Sequence, residues 1–99
     1  MLPERIRAFT ASLVVRTENN EFVWVYDDIH SAATLRADAF KMMLRYSFSS
    51  TEICGEFAII YTDHDGKEYR FYTNQQHQDY DLVRRLYEVA QSSGMRLPF

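Results

Sequence analysis

The chain has one cysteine, Cys54, in 99 residues. A single thiol excludes an internal disulfide framework and any cysteine-rich zinc site. No apolar run approaches the length of a membrane span. The first residues, Met1-Leu2-Pro3-Glu4-Arg5, lack the apolar core of a secretory signal. A soluble protein in a reducing, cytoplasmic setting is the expectation. Positive charge in excess is missing as well. Residues 1–50 carry six Lys/Arg against six Asp/Glu, and residues 51–99 carry five against eight. The net charge of -3 therefore arises in the second half. With no basic stripe or tail, binding driven by phosphate neutralisation is disfavoured.

Aromatic residues are plentiful, at 15% of the chain, and seven of them are tyrosine. Apolar content of 46% and charged content of 25% are those of a globular domain. The length fits one domain, residues 1–99, with a modest core.

Pro3-Glu4 predicts a short N-terminal helical turn to about Phe9, because proline fits the first helical position. Thr10–Thr17 reads as a strand, Glu18-Asn19-Asn20 as a polar turn, and Glu21–Tyr26 as the returning strand. From Ser31 to about Tyr46, Leu35, Ala39, Met42, Met43 and Tyr46 share one helical face. A second hairpin follows: Ile53–Thr62, the turn Asp63-His64-Asp65-Gly66, and Lys67–Thr73. Asp79–Ser93 reads as a helix with Leu82, Val83, Leu86, Val89 and Ala90 on one side and Gly94 as its left-handed cap. The tail Arg96-Leu97-Pro98-Phe99 has enough apolar area to dock. The expected fold is α+β: a four-stranded antiparallel sheet with two helices on one face, in the order ββαββα.

The strand segments Phe22–Tyr26, Phe57–Tyr61 and Tyr69–Tyr72 are apolar at successive positions, so both faces of the sheet carry apolar side chains. Two helices cover only one face. The other calls for a second subunit, a partner or the chain's own termini, and a homodimer is the simplest closure. Trp24, Tyr69, Phe71 and Tyr72 are the expected dimer or partner face.

Chemistry-bearing patterns are sparse. Asp63-x-Asp65-Gly66 resembles the opening of a calcium loop, but Lys67 and Asn74 stand where that loop needs its later ligands, so a hairpin turn is expected. Asp65-Gly66-Lys67 matches the acidic-x-Lys end of a metal-dependent nuclease motif, yet it falls at a turn tip. Cys54 with His30, His64 or His77 would make a nucleophile and base only if the fold joined them. Asp27, Asp28 and the three histidines would bind a metal on the same condition. No catalytic residue, metal or cofactor is expected. Gly66–Tyr72, with Phe22, Trp24 and Phe57, weakly echoes aromatic platforms for single-stranded nucleic acid.

The polar stretch Asn74-Gln75-Gln76-His77-Gln78-Asp79-Tyr80-Asp81 is rich in amides, which suits adaptable recognition of a protein. Asn74, Gln75, Gln76, His77, Asp79, Tyr80 and Asp81 are the expected partner-binding residues, and charge reversal at Asp79 and Asp81 is expected to spare folding. The favoured function is a small non-enzymatic protein-binding or regulatory module, of inhibitor or immunity type. A small enzyme or ligand-binding domain with a pocket between sheet and helices is the alternative, and single-stranded nucleic-acid binding comes third.

Overall fold

The computed structural model describes residues 1–95 and Pro98. It is α+β, and its elements run α1 (Glu4–Glu18), β1 (Val25–Asp27), β2 (Ala32–Arg36), β3 (Lys41–Ser49), β4 (Cys54–Thr62), β5 (Glu68–Asn74) and α2 (Tyr80–Ser92). The strands form one antiparallel meander in the order β1-β2-β3-β4-β5. Both helices cover the same face of it. The expected docking of the tail at residues 96–99 falls outside the described residues, apart from Pro98, which is exposed.

Two expectations are corrected. Thr10–Thr17 is helix, not strand. Ile6, Phe9, Thr10, Leu13, Val14 and Thr17 recur at i, i+3, i+4, i+7, i+8 and i+11, and four of them are buried. The stripe hides in the sequence because two of its members are threonines. Each spends its hydroxyl locally: Thr10 donates to the Ile6 carbonyl at 2.7 Å, and Thr17 accepts the Trp24 indole N–H at 3.1 Å. The polar turn after it does contain a left-handed asparagine, Asn20 at φ 65°.

Residues 31–46 are two strands and a turn, not a helix. Ala33 and Leu35 on β2, with Met42 and Leu44 on β3, are all buried at period two. Leu44, fully buried, lies off the helical stripe drawn through Leu35, Ala39, Met42, Met43 and Tyr46, while Ala39 on that stripe is exposed. Ala, Leu and Met favour helix intrinsically, and cross-strand packing overrides that preference. The element order is therefore αβββββα rather than ββαββα, with five strands rather than four.

The second half follows its pattern. β4 and β5 pair from Glu56↔Asn74 to Thr62↔Glu68. Their turn is held by Asp63, whose carboxylate accepts from the Asp65 and Lys67 amides at 3.0 Å each, and Gly66 supplies φ 86°. In α2, Val83, Leu86 and Ala90 are fully buried, and Gly94 follows at φ 74°.

The core lies between the sheet and the helices. Phe57 sits at its centre, 1% exposed, with the rings of Tyr46, Tyr80 and Tyr87 at 5.2, 5.3 and 5.2 Å. Gly55 admits this cluster, since a Cβ there would stand 2.6 Å from the Tyr46 hydroxyl. Trp24 is core as well, tied through its backbone N–H to the Ser93 hydroxyl at 2.7 Å. No helix among the described residues is long and apolar enough to cross a membrane.

Candidate functional site

A broad concavity lies between the first two turns of α1 and the β4–β5 hairpin. It is a groove of about 600 Å³ lined by Pro3, Ile6, Phe9, Tyr61, Tyr69 and Phe71, with Arg5 and Asp63 supplying opposite charges. Its walls follow from two periodicities. The helical stripe turns Ile6 and Phe9 toward the sheet, and alternation turns Tyr61, Tyr69 and Phe71 toward the helix. The Phe9 ring meets Tyr61 edge-on at 5.6 Å and Phe40 at 5.3 Å, while Tyr61 stacks on Phe40 at 5.8 Å. These contacts fix one wall. The opposite rim is Tyr69, 36% exposed, with the Lys67 ammonium 5.1 Å from its ring centre. An apolar, aromatic concavity with a few charged groups at its mouth is the usual form of a site for an apolar anchor.

Beside the groove runs β5, the longer of the two edge strands. The Asp63 amide donates to the Lys67 carbonyl and the Gln75 amide to the Gly55 carbonyl, so Tyr69, Phe71 and Thr73 bond inward to β4 and the backbone groups of Glu68, Arg70 and Tyr72 point outward. The Tyr72 carbonyl accepts the Met1 amine at 3.1 Å. Further along, Glu68–Arg70 is an exposed edge. There Arg70 Nε donates to Glu68 Oε1 at 2.9 Å, and this contact raises the arginine pKa further above its ordinary value.

Among the described residues, nothing covers the sheet face away from the helices. Its middle holds Met43, Ala58 and Ile60, half-buried, with Val25 72% and Tyr72 51% exposed. Arg36, Lys41, Arg45 and Arg70 interleave with them, alongside Glu56 and Glu68. This second face is mixed, not the fully apolar surface expected, because every second residue of β3 and β5 there is polar or charged except Met43 and Tyr72. Tyr72 is the one exposed aromatic ring in the middle of this face among the described residues, a poor stacking platform for bases.

The amide-rich loop after β5 is built into the scaffold. Asn74 Nδ2 donates to Glu52 at 2.9 Å, Asn74 Oδ1 accepts from the Gln76 amide at 2.9 Å, and Gln75 Oε1 accepts from the Gly55 amide at 2.8 Å. Asp79 is 3% exposed. Its carboxylate accepts the Leu2 amide at 2.6 Å and the Thr73 hydroxyl. Burial pushes that carboxyl up, but the Thr73 and Leu2 hydrogen bonds, with the amino-terminal charge and His77, outweigh it and hold the pKa below the ordinary value. Reversing Asp79 thus bears on folding, which corrects the expectation that it would not. Tyr80 is buried too, and burial raises its pKa. His77 accompanies the Met1 amine at 3.3 Å, leaving Gln75, Gln76 and Asp81 as the exposed members of the predicted set.

Of the expected partner face, Tyr69 and Phe71 meet on the groove, Tyr72 points to the uncovered face and Trp24 lies in the core. The catalytic conjectures come apart by topology. His64 sits in the β4–β5 turn, at the opposite end of the meander from His30 in the β1–β2 turn and His77 after β5. His30 Nδ1 contacts Asp27 Oδ2 at 2.5 Å, which lowers the Asp27 pKa within an exposed turn. Cys54 is buried, with Glu52 as its one polar contact at 3.9 Å. No group of three metal-ligating side chains occurs among the described residues. At the sheet–α2 interface, burial and then the Tyr26 hydroxyl at 3.0 Å push the Tyr87 phenol up.

Sequence reasoning missed the α1 wall of the groove. Its signal was the i, i+3, i+7 spacing of Ile6, Phe9 and Leu13, obscured by ending the helix at Phe9. Comparison with known protein families, with functionally described proteins and with solved structures gives no match, so function is argued from these surfaces.

Proposed function

We propose that the chain is a protein-interaction module that works as a homodimer and receives an apolar side chain of an extended partner segment in the groove between α1 and the β4–β5 hairpin. The observation that carries this reading is the groove itself: four aromatic rings and Ile6 around about 600 Å³, opening beside the exposed edge of β5. A concave aromatic pocket with a few charged groups at its mouth takes an aliphatic or aromatic side chain and selects among the segments that carry one. The expected partner residues Tyr69 and Phe71 take part as the wall nearest that edge. Gln75 and Gln76 in the loop after β5, and Asp81 in the first turn of α2, remain the exposed contributors of that stretch.

The test is selection of extended peptides from a random peptide library against the wild-type protein, followed by titration of the Ile6→Lys variant. Ile6 is half-buried at the groove wall, so a lysine there fills and charges the groove with little cost to the core. Selected peptides with an aliphatic or aromatic anchor that lose at least about tenfold in affinity for Ile6→Lys support the reading. Peptides that bind both proteins equally, or a library that yields no binder, refute it.

A further inference from the structure

Edge strands are usually protected against pairing with their own kind, by being very short or by carrying charges that repel a second copy. β1 meets the first condition, with three residues. β5, with seven, does not, and its charges alternate in sign: Glu68 and Arg70 lie two residues apart on the uncovered face. That spacing is self-complementary. In an antiparallel pair of identical strands related by a two-fold axis at Tyr69, Glu68 of each copy faces Arg70 of the other. From this juxtaposition we infer that a second copy of this chain docks on β5, edge to edge, in the register that places Tyr69 opposite Tyr69, joining two five-stranded sheets into one of ten strands.

Backbone geometry permits this register and disfavours its neighbours. Glu68, Arg70, Tyr72 and Asn74 direct N–H and C=O outward, and the Asn74 carbonyl already accepts the His77 amide at 3.0 Å, so a residue of this set must face another of it. Centring on Arg70 stacks Arg70 on Arg70, and centring on Glu68 stacks Glu68 on Glu68. Like charges directly opposite are unfavourable. Centring on Phe71 calls on the outward groups of Tyr72, whose carbonyl already accepts the Met1 amine at 3.1 Å. Centring on Tyr69 uses the outward groups of Glu68 and Arg70, giving four main-chain hydrogen bonds and two cross-strand ion pairs. Within each copy Arg70 already contacts Glu68 at 2.9 Å, so the four charges form one alternating cluster in which both side chains are partly ordered beforehand.

On the other face, Tyr69 meets its own copy as a pair without main-chain bonds, the closer of the two antiparallel spacings, where ring contact is favoured. Tyr69 is also the rim of the groove. The two grooves therefore lie on either side of the Tyr69 contact, on one continuous face. The inference rests on the homodimer reading above and names the surface that makes it.

The experiment is the mass in solution by light scattering and analytical ultracentrifugation across a concentration series, for the wild type, Glu68→Lys, Arg70→Glu and the swapped double variant Glu68→Arg/Arg70→Glu. Both positions are exposed, so circular dichroism of each variant should match the wild type. Each single reversal opposes like charges at both pairs and should raise the dimer Kd roughly 10- to 100-fold. The swapped variant should dimerise like the wild type, and an equimolar mixture of the two single variants should form a heterodimer. A wild-type dimer that survives both reversals, or singles that do not recover on mixing, would overturn this register while leaving the homodimer reading intact. A wild type that is monomeric throughout the series would overturn both.

Discussion

Asp79 offers the sharpest test of how this fold is held together. Its carboxylate ties the N-terminal segment to β5 and to the start of α2, accepting the Leu2 amide at 2.6 Å and the Thr73 hydroxyl in a site 3% exposed. Asp79→Ala removes both acceptors and leaves two donors buried. Hydrogen bonds to a charged group are worth about 1.5–3 kcal/mol each, and partial relaxation keeps the sum near 3–5 kcal/mol. For a chain of this size that lowers Tm by roughly 12–25 °C. Asp79→Asn keeps one acceptor oxygen and should lose about half as much. The pH dependence fixes the electrostatic share. The folded-state pKa of Asp79 lies below its unfolded value, so its stabilisation is complete above about pH 4 and lost as pH falls through the folded-state value. Wild type and Asp79→Asn should therefore differ in stability at neutral pH and converge in acid. Denaturant unfolding followed by the fluorescence of Trp24, the sole tryptophan, measures this at each pH. Asp81→Asn, at an exposed position, is the control and should be silent. If Asp79→Ala matched the wild type within about 0.5 kcal/mol, Asp79 would not be the clasp described.

Ile53 stands at φ 53° in the β3–β4 turn with its side chain 77% exposed, so Ile53→Gly should raise stability by about 1 kcal/mol, seen as a higher Tm. An unchanged or lower Tm would show that the turn is not strained there. Gly55→Ala should cost about 1–3 kcal/mol, because its methyl would stand 2.6 Å from the Tyr46 hydroxyl. In a double-mutant cycle with Tyr46→Phe that penalty should shrink, and strict additivity would deny the contact. Phe57→Ala, at the centre of the tyrosine cluster, should cost about 3–5 kcal/mol in chemical denaturation, and a loss below about 1 kcal/mol would deny its place in the core.

The parts of this protein legible in sequence are those where one periodicity is unbroken and punctuated. The run from Ile53 to Gly94 has two β-rich segments around an Asp-x-Asp-Gly turn and a helical stripe with glycine just beyond it, and the two strands, the turn and the helix form within a residue or two of the expected bounds. Asp63 and Gly66 make the turn by local hydrogen bonding and by a backbone conformation that glycine adopts freely, so nothing distant was needed. The first half failed where two periods compete. Thr10, Val14, Val15 and Thr17 are β-branched and read as strand, yet Leu13, Val14 and Thr17 are buried on one side of a helix packed against α2. Leu35, Met42, Met43 and Tyr46 fit a helical stripe, yet Leu44 has to be buried too, and only strands bring it to the same face as Met42.

The candidate site was half legible for the same reason. Tyr69 and Phe71 stood out as aromatic strand residues, whereas their opposing wall depends on where α1 lies over the sheet. The loop after β5 looked like a free recognition element because its composition is polar. The side-chain amides of Asn74 and Gln75 and the Asp79 carboxylate are instead engaged by Glu52, Gly55, Leu2 and Thr73, from segments up to 77 positions away. Composition, charge balance, the second hairpin and α2 follow from local pattern, since hydrophobic period and turn chemistry act over a few residues. Which strands pair, which face stays open and which polar groups are free were decided by tertiary packing, because a hydrogen bond or a buried ring finds its partner in space rather than along the chain.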